Sequence, residues 1–393
     1  MRKLYLHIGT EKTGTTSIQE FLYSNKKALS KSGYHVLQCA GKKNHRAIPS
    51  YCMSENSYDD FYFDRQIDNL EKKRIFKKKL YNSFVKEINS LSDNIHSVII
   101  TSEHFHSRLK TLEEVAAVKD LVSPFFTDIE IICYLREQSD LASSLYSTGI
   151  KSGSNIDFSS FLERCSPDNT YYNYYSFLNR WSNVFPSESL SVRVFSKGSF
   201  YNNDLIDDFC FGINEDLLSK VDRKVNIENE SLSNFGKVIG RAVNSVSPKY
   251  NGDGSVNKSR ANALRRVASS FGGHESNLSI EQYNTIYKSF LASNVKVANE
   301  YLKSSDPLFP SNPPAASNKP LNEIQVADLA KIILDVKGIA QVSDQDAVLF
   351  RDAAILLENI DINIAYRLMR LAQLGRPKGP FIKSKLEEYE SRL

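Results

Sequence analysis

Apolar residues come in short runs, separated by stretches with helical period. Lys3-Leu4-Tyr5-Leu6-His7-Ile8-Gly9 reads as a buried strand, and residues 33–37 as a second. Ser97–Thr101, Ile129–Leu135 and Leu190–Phe195 are further strand-like runs, the last with Val192 and Val194 alternating against polar neighbours. A helix is predicted from near Thr15, with Ile18, Phe21, Leu22 and Leu29 on its inner face. Residues 40–62 have no clear period. From Asp68 to Leu91 the positions Leu70, Leu80, Phe84, Ile88 and Leu91 recur at helical multiples. Strands alternating with helices predict an α/β domain with a mostly parallel sheet and right-handed crossovers. Residues 231–302 read as mainly helical. Residues 309–320 are rich in Pro, Ser and Asn, a linker composition, and helical patterns follow to Leu393. The expected organisation is an α/β domain over 1–308, a linker over 309–320 and a small helical C-terminal domain over 321–393.

Composition narrows this picture. Hydrophobic residues make up 41% of the 393, ample for a large core. The formal charge of +4 is far from the dense positive field of a nucleic-acid binder. The basic excess is partly local, in Lys72, Lys73, Arg74, Lys77, Lys78 and Lys79. That cluster reads as a solvated helix face, or else as a surface attracting an anionic polysaccharide. The five cysteines, Cys39, Cys52, Cys133, Cys165 and Cys210, form no CxxC pair, so a reducing compartment is expected and a disulfide framework is not. The first apolar run is too short for a signal peptide, and no window approaches the roughly 20 apolar residues of a membrane span. The expected location is the cytoplasm.

Gly9-Thr10-Glu11-Lys12-Thr13-Gly14-Thr15-Thr16 follows a strand and opens a helix. In that setting loop and helix N–H groups converge and favour an anion. The spacing approaches the Walker A loop, Gly-x4-Gly-Lys-Ser/Thr, but Thr15 stands where the lysine belongs and a lysine appears earlier, at position 12. A nucleoside triphosphate reading is weakened accordingly.

Lys12-Thr13-Gly14-Thr15-Thr16-Ser17 resembles the 5′-phosphosulfate loop of sulfotransferases that use PAPS (3′-phosphoadenosine 5′-phosphosulfate), whose core is Lys-Ser/Thr-Gly-Thr-Thr. Leu6 to Gln19 is most similar to the bacterial carbohydrate-acting branch. The resemblance extends in scattered segments over about residues 1–235. It implies a P-loop-like three-layer sulfotransferase fold with a parallel central sheet. It implies PAPS as donor, its product PAP (adenosine 3′,5′-bisphosphate), and no required metal. In that family an arginine at a strand end and a serine eight residues on hold the 3′-phosphate; Arg136 and Ser144 have this spacing, with Ser143 as the neighbouring alternative. A guanidinium pairs bidentately with phosphate, and a hydroxyl adds a donor. Arg223 and Lys224 lie where relatives place a basic loop over the same phosphate, although a plain solvated loop fits equally. Trp181, within an aromatic segment, reads as core.

Transfer also needs a base for the acceptor hydroxyl and positive charge for the leaving oxygen. Lys12 supplies the charge. The resemblance places the base at the end of the Ser97–Thr101 strand, where Glu103 stands, with His104 and His106 as runners-up. An N-cap or salt-bridge role for Glu103 is the plain alternative, and His7 reads as a hydrogen-bonded strand histidine. The implied acceptor is a hydroxyl of a lipopolysaccharide, capsule or exopolysaccharide sugar. Residues 361–389 look similar to tails on bacterial surface-polysaccharide enzymes and suggest an interaction module for a protein partner. The rival readings are a P-loop small-molecule or nucleotide kinase and a non-catalytic nucleotide-binding assembly factor.

Overall fold

The computed structural model describes residues 2–223, 231–253, 255–273, 276, 278–314, 344–359 and 361–393. Among these, five strands form one sheet: β1 (Arg2–His7), β2 (Tyr34–Val36), β3 (Ser97–Thr101), β4 (Phe126–Leu135) and β5 (Leu190–Val194). Every pairing is parallel and the order is β2-β3-β1-β4-β5. The α/β class with a parallel sheet is therefore as expected. The strand bounds read from the apolar runs hold to within a few residues. β1 lies at the centre, with Leu4 and Leu6 on one face and Tyr5 and His7 on the other all buried, as a strand covered on both faces requires.

The helices named below are α1 (Thr15–Lys31), α2 (Ala47–Cys52), α3 (Asp60–Phe63), α4 (Leu70–Asn89), α5 (His104–Arg108), α6 (Leu112–Val122) and α7 (Gln138–Ser152). The stretch without clear period thus holds two short helices, α2 and most of α3, too brief to show one. α1 packs Ile18, Phe21, Leu22 and Leu29 against Tyr5, Tyr34, Ile132 and Phe209. Each such side chain contributes roughly 1.5–3 kcal/mol on burial.

The chain divides into two compact units. One comprises Met1–Ala142, Arg164–Glu228 and Ile280–Pro313; the other comprises Ser143–Glu163, Asn229–Ser279 and Pro314–Leu393. The first holds the sheet and Trp181, which is fully buried as expected. In the second, helices Asn234–Val246 and Lys258–Ser270 pack Ile239, Val243, Leu264 and Val267 onto Tyr146 and Ile150. Also in the second, helices Asp344–Leu357, Ile362–Gly375 and Pro380–Arg392 share a core of Phe350, Leu368, Met369 and Tyr389. Of the expected linker, residues 309–314 are described, with Phe309 buried and its carbonyl accepting the Tyr287 hydroxyl at 3.0 Å. Residues 315–343 lie outside the described residues. Among the described residues no helix is long and apolar enough to cross a membrane.

The basic cluster on α4 corrects one expectation. Lys73 is buried, not solvated. Its Nζ donates to the carbonyls of Ser54 (2.6 Å), Glu55 (3.1 Å) and Ser57 (2.6 Å), and lies over the rings of Tyr58 and Tyr62. Burial lowers its pKa to about 8. Lys77 Nζ donates to the Met53 carbonyl at 2.9 Å. Lys72, Arg74, Lys78 and Lys79 are exposed. The signal was present: Lys73, Lys77, Leu80, Phe84 and Ile88 fall on one helical stripe.

Candidate active site

The connection after β1 leads to the β2 side of the sheet, and the connection after β4 leads to β5. The C-terminal ends of β1 and β4 therefore border the switch point where open parallel sheets bind ligands. Residues 9–14 leave β1 there. Gly9 has φ +99°, and a Cβ on it would stand 3.0 Å from Glu103 Cα, so the loop crosses the end of β3 closely. The Tyr134 N–H donates to the Gly9 carbonyl (2.7 Å). Both the N–H and the hydroxyl of Thr10 donate to the Tyr134 carbonyl (2.9 and 3.0 Å). Thr13 closes the turn through its hydroxyl to the Thr10 carbonyl at 2.6 Å.

Gly14 enters α1 in the left-handed region (φ 71°), and no side chain caps the helix. A Cβ at Gly14 would meet Leu205 Cδ2 at 2.2 Å. Lys12 also has positive φ (64°), a conformation that costs a non-glycine residue roughly 1–2 kcal/mol. Arg136, at the end of β4, donates through Nη1 to the Lys12 carbonyl at 3.0 Å, and its guanidinium lies 5.7 Å from the Phe195 ring centroid. The strained loop is thus fixed by β4 and by Arg136. Thr15 is buried and Thr16 exposed.

Glu103 stands at the other side of the loop, where β3 ends. It occupies the N-cap position of α5, but its side chain makes no cap bond. Its carboxylate accepts Gln19 Nε2 at 2.6 Å and Asn44 Nδ2 at 3.0 Å to each oxygen. Gln19 comes from α1. Asn44 comes from the segment before α2, which β3 pins: the His45 N–H donates to the Thr101 carbonyl, and the Thr101 N–H donates to His45 Nδ1, both at 2.9 Å.

His104 lies between charges. Its Nε2 is 3.8 Å from the Glu103 carboxylate and 3.4 Å from Arg46 Nη1. Its Nδ1 is 3.9 Å from Glu11 and 3.4 Å from the Ser107 hydroxyl. Burial lowers its pKa, with Glu103 opposing and Arg46 reinforcing the shift. Glu11 accepts the Tyr171 hydroxyl at 2.7 Å. Burial would raise the Glu11 pKa, but hydrogen bonds from Ser107 and Tyr171 outweigh it and hold the carboxyl below its ordinary value. His106 adjoins this group through Tyr171. It is buried against Tyr171 and Phe177, with its Nε2 2.9 Å from the Tyr171 carbonyl, and burial lowers its pKa to about 4. His7 pairs with the Thr101 hydroxyl at 2.8 Å, a hydrogen-bonded strand histidine.

The loop, Arg136, Glu103 and His104 therefore meet at adjoining strand ends in the first unit. Ser144 lies on α7 in the second unit, mostly buried, and its carbonyl accepts the Thr148 hydroxyl at 3.2 Å. Arg223 donates to both oxygens of Asp207 at 3.0 and 2.8 Å. Lys224 lies outside the described residues. Sequence reasoning missed Glu11, Gln19, Asn44, Arg46 and Tyr171. Gln19 lies within the quoted motif but has no chemistry of its own, and Asn44 meets Glu103 across 59 positions, which no local pattern reveals.

No family model matches the chain. An uncharacterized protein of Archaeoglobus fulgidus is 30% identical over 115 residues, which is 29% of this chain and 30% of that protein. The chain thus matches under a third of that relative's length. A crystal structure of a sulfotransferase from Alicyclobacillus acidocaldarius aligns over 58% of this chain and 87% of its own, with 15% identity and a TM-score of 0.39.

Proposed function

We propose that the chain transfers the sulfuryl group of PAPS to a hydroxyl of a carbohydrate, of the lipopolysaccharide, capsule or exopolysaccharide kind. One observation supports this reading most: an uncapped, left-handed helix entry at the switch point, preceded by a loop that Arg136 holds at Lys12, with α1 itself holding a carboxylate at the neighbouring strand end through Gln19. The residues fit an anionic nucleotide. First-turn N–H groups at Thr15 and Thr16, with Lys12, Thr13 and Ser17, suit the 5′-phosphosulfate. Arg136 suits the 3′-phosphate. Arg223 is weaker because Asp207 already engages it.

PAPS, when bound, supplies an activated sulfuryl group. The chain's part is to neutralise charge growing on the leaving phosphate oxygen, through Lys12, and to accept the acceptor's proton, through Glu103. His104 is the second proton acceptor in reach of the same place.

Thermal melting with PAP, adenosine 5′-phosphate and ATP–Mg²⁺ tests the reading. PAP should raise the melting temperature most, by mass action on the folded state. A larger shift with ATP–Mg²⁺ would favour a kinase. No shift with any of the three would favour an assembly role.

A further inference from the structure

The segment 53–59 is held far more firmly than an exposed polar loop requires. Buried Lys73 binds three of its carbonyls and Lys77 a fourth. Glu114, also buried, accepts the Ser54 N–H at 2.9 Å, and with its other oxygen the N–H groups of Lys110 (2.7 Å) and Thr111 (3.3 Å). Glu114 therefore ties segment 53–59 to segment 107–111, and a cavity of about 500 Å³ lies between the two. Its walls include Ser54, Asn56, Tyr58, Asp59, Arg108 and Lys110. The Asp59 carboxylate is fixed in turn by Arg46 and by Arg108 Nε, each at 2.8 Å.

Two buried charged side chains spent on backbone groups give a preorganised surface. What that surface offers is a carboxylate, a guanidinium, an amide, hydroxyls and one aromatic ring, in a volume suited to one or two sugar rings. Vicinal hydroxyls donate to carboxylates and accept from guanidinium groups, while the apolar face of a sugar ring packs on an aromatic. An apolar ligand would displace water from these polar groups without replacing its hydrogen bonds, which is costly. Ser107 and Arg108 line the cavity one helical turn beyond Glu103 and His104, and the Ser107 hydroxyl lies 3.4 Å from His104 Nδ1.

We propose that this cavity is a carbohydrate subsite, holding a sugar residue of the acceptor beside the hydroxyl to be modified. Its role as an acceptor site rests on the transferase reading above; its affinity for sugar does not. Saturation-transfer NMR with methyl glycosides of glucose, galactose, mannose and N-acetylglucosamine tests it on the full chain. At least one glycoside should show transfer. Ser57→Trp and Asn56→Trp, which fill the cavity and keep the backbone carbonyls that Lys73 holds, should each weaken it at least about tenfold. PAP-induced stabilisation should be unchanged in both, which also reports that they fold. Glycoside signals that survive both substitutions, or are absent for all four sugars in the wild type, would overturn the subsite. Glycoside binding at the cavity without any PAP effect would instead overturn the transferase reading and leave the subsite standing.

Discussion

Glu103 is held by amides, and that decides what its variants report. Three N–H···O contacts from Gln19 and Asn44 fix the carboxylate. Glu103→Gln keeps the size of the side chain but turns an amide group toward two amide donors, and it removes basicity. Under the proposed mechanism it should lower single-turnover transfer by roughly 10²–10⁴ while leaving PAP affinity nearly unchanged. Lys12→Ala should lower transfer by roughly 10²–10³. If Glu103→Gln transfers at the wild-type rate and His104→Ala does not, the base is His104. Arg136→Ala should weaken PAP more than adenosine 5′-phosphate, because only PAP carries the 3′-phosphate. Equal losses for both would assign Arg136 to loop support alone, through its bond to the Lys12 carbonyl.

At the scale of elements, the β1 loop and the tied 53–59 segment make separate predictions. Gly14→Ala puts a Cβ 2.2 Å from Leu205 Cδ2 at a left-handed position. It should cost about 1–3 kcal/mol in urea unfolding and weaken PAP as well. A neutral outcome would mean that Leu205 yields and the helix entry tolerates a side chain. Lys73→Met removes the donor to three carbonyls and should cost at least about 2 kcal/mol. The strands and α1 were legible because their apolar runs and spacing are local, and the loop because strand, glycines and helix entry are contiguous. Lys73 was misread because a cluster of lysines suggests water, although its place on the stripe with Leu80 and Phe84 said otherwise. The clamp on Glu103 and the Glu11–Tyr171 pair were not legible at all. Each joins residues that only the sheet order and the packing above it bring together.

Across the molecule, buried histidines couple stability to pH. His7, His45 and His106 are buried, which lowers their pKa values to about 3, 4 and 4. In the unfolded chain a histidine titrates near 6.5. Between about pH 6.5 and 4 the unfolded state therefore binds protons that the folded state refuses, and stability falls as pH falls. The slope approaches roughly 1.4 kcal/mol per pH unit for each histidine in the middle of that window. It flattens for each once the folded pKa is passed. Urea unfolding across this range should show the decline, and His106→Phe should make it shallower. Stability that is level, or that rises as pH falls through the window, would contradict neutral burial of these groups.

A crystal structure with PAP bound tests the central claim most directly. The 5′-phosphate should lie against residues 9–16, the loop after β1 and the start of α1, with the 3′-phosphate at the Arg136 guanidinium. PAP bound elsewhere, or absent from crystals grown with PAP in excess, would contradict the assignment of this site.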